Sequence, residues 1–314
     1  MSPTSTTSPS PSKAKTLILL VISDNQYQDW QSRVFHYHMK KLLLPDQELM
    51  TLISAPGRKV DLEAKCAEEH NNCPLFPTGD YTTAPNGDVF VVYNRAHAIR
   101  EFMDSFDGKG FETVVIVEPD MLPLKPITVK ATKGEILGHH YFYMEREYGG
   151  AELNQSALID YCSFNPDQVE PIGVPYVLHI DDLRNMLPLW IEKTIKMRIP
   201  QPWLSGDQKG ERSWIADMWS FACAAADLSI KSIASPTFGP ETAIDPTPGD
   251  DSLFIHYTYG YTFGDFKFEK RDWTSQPPQP RPFPASPSDA PNEIESIHLS
   301  MLNEALVAIF GPTN

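Results

Sequence analysis

Between Thr113 and Val117 the chain runs through five consecutive β-branched residues, then stops at Glu118-Pro119-Asp120. Such a run suits a central strand buried on both faces, because parallel pairing with flanking helices leaves no face for water. The abrupt stop leaves acidic side chains at the strand's carboxyl end. Further apolar runs, Thr16 to Ile22, Leu49 to Ile53, Asp88 to Val92, Tyr176 to Ile180 and Ser252 to Tyr257, read as strands. Segments of helical period lie between them. One begins near Asp29, with Trp30, Val34, Tyr37 and the stem of Lys41 on one stripe. Others are Asn94 to Phe106, the stretch after Tyr176 to Ile180 with Asp181 or Asp182 as its cap, and Ser213 to Leu228. The alternation predicts an α/β fold: a mixed, mostly parallel, Rossmann-type sheet flanked by helices.

At 314 residues and 41% hydrophobic, the chain can bury the core of one large domain, read here as 15–274. The Ser/Thr/Pro-rich opening, 1–14, reads as a disordered tail. Segment 275–314 holds a Pro-rich strap, then an amphipathic helix with Ile294, Ile297, Met301, Leu302, Leu306 and Ile309, expected to pack on the domain. A net charge of −15 with no basic stripe argues against a nucleic-acid partner, though it suits a cationic one. No run approaches the roughly 20 apolar residues of a membrane-spanning helix. Ala55 to Gly87 lacks period and reads as a long loop. Of the four cysteines, Cys66 and Cys73 are close enough in sequence for a disulfide or can remain plain thiols, and with His70 they lack a fourth zinc ligand. Asn154-Gln155-Ser156 is an N-glycosylation sequon.

Ligands of doubly wound folds bind outside the carboxyl ends of strands. Glu118 and Asp120 stand there, and paired carboxylates can hold a hard divalent cation; the alternative is a turn or helix cap. His256 ends a late strand and offers either an imidazole ligand or a buried ring bonded to a carbonyl. Asp217, set among Trp214, Ile215, Met218 and Trp219, needs a partner: a ligand, a helix-start role, or a salt bridge with Arg212 or Arg184. Asp24, Gln31 and Arg33 follow the first strand, and Asn94 and Arg95 follow the Asp88 to Val92 run. Each can serve a nucleotide or be the polar face of a helix.

Read together, these segments resemble the plant and algal hydroxyproline O-arabinosyltransferases, and more loosely the peptidyl-serine α-galactosyltransferases. The resemblance runs through QDWQSRVFHYHMKK at Gln28 to Lys41, Asn94-Arg95, VEPDM at Val117 to Met121, YVLHIDDLRNMLPLW at Tyr176 to Trp190, SWIADMWSFACA from Ser213, and HYTYG followed by FKFEKRDW. It implies a GT-A-like fold and a metal-dependent, retaining glycosyltransferase. That enzyme would move L-arabinofuranose from UDP-β-L-arabinofuranose to hydroxyproline of secreted proteins or peptides such as extensins. It further implies Mn2+, with Mg2+ as a substitute, on Glu118, Asp120 and His256. Asp24, Gln31, Arg33, Asn94, Arg95 and Glu118 would hold the nucleotide sugar, and Asp217 and Asp120 would serve catalysis. A Golgi lumen location follows from the resemblance alone. The chain departs from the family pattern in having Asp217 where the family has a longer acid, and Ala96-His97-Ala98 where it has a Trp-rich stretch. Alternatives are a galactosyltransferase acting on peptidyl serine from UDP-galactose and a non-catalytic module that binds Pro-rich peptides.

Overall fold

The computed structural model describes residues 14–58, 74–144, 162, 169–198, 215–236, 238–250, 252–273 and 287–311. The first strand, β1 (Lys15–Ser23), is buried along most of its length. It lies between β2 (Gln47–Ser54) and β4 (Phe111–Val117), parallel to both. The β-branched run thus forms the strand the sequence predicts, with one difference. On its other side β4 pairs antiparallel with β7 (Ile172–His179). β7 also runs antiparallel to β6 (Glu135–His140), which is parallel to the edge strand β8 (Lys231–Ser235). With β3 (Leu75–Thr78) at the other edge, the order β3-β2-β1-β4-β7-β6-β8 contains one reversed strand in an otherwise parallel sheet.

Two strand expectations need correction. Inside the stretch read as a loop, β3 (Leu75–Thr78) pairs parallel with β2 at the sheet edge. Pro77 hides it from a pattern reading, yet an edge strand tolerates a residue without a backbone donor. Conversely, Asp88 to Val92 forms no strand, only an isolated bridge from Val89 to Thr83. Here the Asp88 carboxylate clamps a turn, accepting bonds from Arg198 Nε at 2.9 Å and Tyr93 Oη at 2.9 Å, and Val89 stays 63% exposed.

Helix α1 (Gln26–Leu42) begins before Asp29 because the Asn25 side chain accepts a bond from the Gln28 amide. Its stripe behaves as its period implies: Trp30 and Val34 are buried, and Lys41 lies over the Tyr37 ring. Helix α2 (Tyr93–Ser105) buries Ala98, Ile99, Phe102 and Met103 in the main core. Helix α3 (Ile180–Arg198) contains Pro188 and already includes Asp181 and Asp182 in its first turn. Neither acid is the expected cap. Asp182 instead accepts from the Gly134 amide at 2.7 Å and Asp181 pairs with Lys133, pinning the turn into β6. Helix α4 (Ala216–Asp227) is tied by a Cys162–Cys223 disulfide that spacing did not suggest. Cys66, Cys73 and the sequon lie outside the described residues.

The last helix, α5 (Glu293–Phe310), is capped by Asn292 and lies against α1, where Tyr37 and Lys41 both reach Glu304 and His38 bonds the Met301 carbonyl. Ile294, Leu299, Leu302 and Leu306 close a second core with Trp30, Val34, Tyr257, Tyr261 and Phe268. His298 sits at its centre, fully buried, with one ring nitrogen on Tyr261 Oη and the other unpartnered. Burial, helped by the charge of Lys270, holds it at about 3, below its ordinary 6.5. Such a group stays neutral in the fold but protonates once unfolded, so it destabilises the fold as pH falls from 6.5 toward 3. We expect unfolding free energy to fall across that window, by up to about 1.4 kcal/mol per pH unit for this group, read as a lower melting temperature. His298→Phe should flatten part of the slope; an unchanged pH profile would show that the ring does not stay neutral. His139, likewise held at about 3 by burial, adds to the slope in the same direction.

Candidate active site

The buried strand β4 ends at Val117, so Glu118 and Asp120 emerge at its carboxyl end. Asp120 is followed directly by β5 (Met121–Pro123), which pairs antiparallel with β9 (Phe254–His256), setting Met121 opposite His256. The Tyr257 amide donates to the Asp120 carbonyl at 3.0 Å and Tyr257 Oη donates to the Pro119 carbonyl at 3.2 Å. This small two-stranded sheet is what brings residues far apart in sequence together. His256 Nε2 lies 3.4 Å from Glu118 Oε2 and 3.4 Å from Asp120 Oδ1. Ligand atoms from all three side chains lie within 4.8 Å of one another.

Hydrogen bonding sets the direction of that imidazole. Tyr141 Oη donates to the Val174 carbonyl at 2.8 Å and meets His256 Nδ1 at 2.7 Å. A carbonyl can only accept, so the tyrosine proton goes there and Nδ1–H donates to the tyrosine oxygen. With Nδ1–H so engaged, Nε2 is the nitrogen that faces the two carboxylate oxygens. In a neutral ring Nε2 would offer a lone pair beside two carboxylate oxygens, a set that suits a divalent ion such as Mn2+ or Mg2+. Tyr141 would then be the outer partner that fixes the tautomer of His256 as a ligand.

Protein cations meet the same carboxylates. Arg95, near the start of α2, bonds Glu118 with one nitrogen and Asp217 Oδ2 with the other at 2.8 Å. The salt-bridge partner of Asp217 is therefore Arg95, whereas Arg184 donates to the Phe106 carbonyl; Arg212 lies outside the described residues. Asp217 is 1% exposed, and its Oδ1 has no partner. Burial pushes its carboxyl up to about 6 despite Arg95. Lys270 Nζ bonds Asp120 Oδ2. Burial opposes a charge on Asp120, but Lys270 and His256 outweigh it and hold that carboxyl far below the usual range. A turn at Gly260 leads to this lysine: a Cβ there would come within 2.5 Å of the Phe268 carbonyl oxygen, which only glycine avoids.

The other predicted residues are placed differently. Asp24 is exposed at the tip of β1, its amide bonded to the Ser54 carbonyl. Asn94 is buried, accepting from the Tyr81 amide at 2.6 Å and donating to Ser23 Oγ at 3.1 Å, so it ties the segment after β3 to the end of β1. Gln31 is buried and donates to the Tyr27 carbonyl. Arg33 pairs with Asp29 within α1 and lies 5.8 Å from the Phe310 ring centre on α5. Tyr141, Lys270 and Tyr27, whose phenol feels the charges of Lys270 and Asp120, are site residues that residue patterns missed. For Lys270 a signal existed, because FKFEKRDW contains it.

The sheet order, with acidic groups at the end of β4 and a histidine from a late strand beside them, is that of a GT-A-like fold. The galactosyltransferase LgtC, solved with donor and acceptor sugar analogs, superposes with a TM-score of 0.51 at 10% identity, covering 92% of this chain and 96% of LgtC. A family model, the hydroxyproline O-arabinosyltransferase family N-terminal domain, matches residues 17–234. The chain belongs to the hydroxyproline O-arabinosyltransferase family. It is 28% identical to the peptidyl serine alpha-galactosyltransferase of Arabidopsis thaliana over 92% of its own length, but spans only 38% of that relative. It is 25% identical to hydroxyproline O-arabinosyltransferase 1 of the same plant, over 91% of this chain and 78% of the relative.

Proposed function

We propose that this chain transfers L-arabinofuranose from UDP-β-L-arabinofuranose to hydroxyproline of secreted proteins or peptides, with retention and with a divalent ion, Mn2+ before Mg2+. The observation that carries the reading is the convergence of Glu118, Asp120 and His256 at the end of β4. When bound there, the ion supplies positive charge against the diphosphate that departs. The chain's own residues orient the pieces. Tyr141 sets the His256 tautomer, and Arg95 keeps Glu118 and the buried Asp217 in one frame. Asp217 is read as facing the sugar and acceptor. Asp24 and Asn94, at the β1 tip, are read as the nucleotide side, with Gln31 and Arg33 behind them on α1. Orientation of two bound substrates supplies the remainder of the rate. The Cys162–Cys223 disulfide supports an oxidising compartment, in keeping with the secretory pathway and its Golgi lumen.

A second reading, galactose transfer from UDP-galactose to peptidyl serine, is favoured by the 28% identity to a galactosyltransferase. One assay separates them. The chain is incubated with Mn2+, UDP-arabinofuranose or UDP-galactose, and hydroxyproline or serine peptides. Arabinose on the hydroxyproline peptide is expected, with the anomer read by NMR. Galactose on the serine peptide selects the second reading. No transfer and no donor hydrolysis under any combination would remove both and leave a module that binds Pro-rich chains.

A further inference from the structure

The carboxylates of the centre are already partly neutralised by the chain. Arg95 engages Glu118, and Lys270 engages Asp120 from the other side. Lys270 is 5% exposed, and its ammonium lies 6.0 Å from the Tyr257 ring centre. A buried ammonium on one carboxylate oxygen competes with any other cation for that carboxylate, since two cations a few ångströms apart repel. Moving the ammonium away without giving it another anion would leave a buried, unpaired charge. A bare divalent ion at Glu118 Oε2, Asp120 Oδ1 and His256 Nε2 would find Lys270 on the other oxygen of Asp120 and Arg95 on the other oxygen of Glu118, and both cations would repel it. An ion arriving with a nucleoside diphosphate brings negative charge that can take over the ammonium.

We propose that Lys270 is a positioning residue that stands in for the divalent ion at Asp120, so that the chain resists a bare ion and accepts ion and nucleoside diphosphate as a linked pair. This rests on the metal and UDP-sugar reading above. It adds that the lysine, whose contact is with Asp120, sets how strongly the two ligands depend on each other. Linkage makes the dependence reciprocal: whatever factor UDP adds to ion affinity, the ion adds to UDP affinity.

The test is Mn2+ binding to the full chain, followed by the EPR signal of free Mn2+ with and without UDP. For the wild type, UDP should tighten Mn2+ by about tenfold or more, in the range usual for coupled sites. Lys270→Met should bind bare Mn2+ more tightly, by about fivefold or more, and its UDP effect should shrink by the same factor. Lys270→Arg should keep the wild-type pattern. Lys270→Gln provides a second neutral variant should the methionine variant fail to fold, and thermal melting checks each. A lysine that only supports the fold would weaken Mn2+ binding when removed. Unchanged or weaker bare Mn2+ affinity in the neutral variants overturns the proposal and leaves the metal reading standing. A wild type that binds no Mn2+ with or without UDP overturns the metal reading and this proposal with it.

Discussion

Asp120→Asn is expected to lower sugar transfer by roughly 10²–10³-fold, the equivalent of several kcal/mol of lost charge stabilisation. Asp120 contributes an oxygen to the three-acceptor cluster and also neutralises Lys270, so the variant should show two separable effects. The first is loss of activity and of any Mn2+ protection against heat. The second is a fall in melting temperature corresponding to about 1–3 kcal/mol, because the amide oxygen still accepts from Lys270 but carries no charge. Adding Lys270→Met to Asp120→Asn should restore stability without restoring transfer. Such non-additivity is the signature of two groups in direct contact. Wild-type turnover in the single variant would remove Asp120 from the ion's ligands.

Arg95→Met should be the most destabilising change at this site, by about 3–5 kcal/mol near pH 8, because it leaves the Asp217 carboxylate buried and unpaired. The sign of its pH dependence follows from Asp217. The folded value of about 6 lies above the ordinary 3.8, so ionisation opposes the fold. The contribution to stability is intact below 3.8 and is lost as pH rises through 6. Without Arg95 that carboxyl shifts further up, extending the loss to higher pH. Urea unfolding should therefore show a smaller defect at pH 5 than at pH 8. Arg95→Met/Asp217→Asn should recover much of the difference. A defect of the same size at both pH values would mean that the arginine supports the fold by packing and not by charge.

Several parts of this site were legible from residues alone. The run from Thr113 to Val117 had to be an interior strand, since five β-branched residues in sequence pack on a sheet and poorly on a helix. Glu118 and Asp120 then had to stand at its carboxyl end. The α1 stripe and the Ile294, Leu302 and Leu306 face were equally plain, because burial on one side of a helix imposes its period. What misled was local pattern without a partner. Asp88 to Val92 has the composition of a strand, yet β3 occupies the sheet edge and Asp88 is held by Arg198. β3 has the opposite history: a proline-containing tetrapeptide becomes a strand only because β2 offers its edge.

By itself, then, the sequence determined the alternation of strand and helix, the core faces, and the presence of acids at the end of β4 and a histidine at the end of β9. Those properties depend on neighbours along the chain. Tertiary structure alone decided that β7 reverses, that Asp217 meets Arg95 and not Arg184, that Cys162 finds Cys223, and that Lys270 meets Asp120. The physical reason is that pairing between distant charges, thiols and strand edges depends on which surfaces the fold presses together, and no local preference encodes that choice.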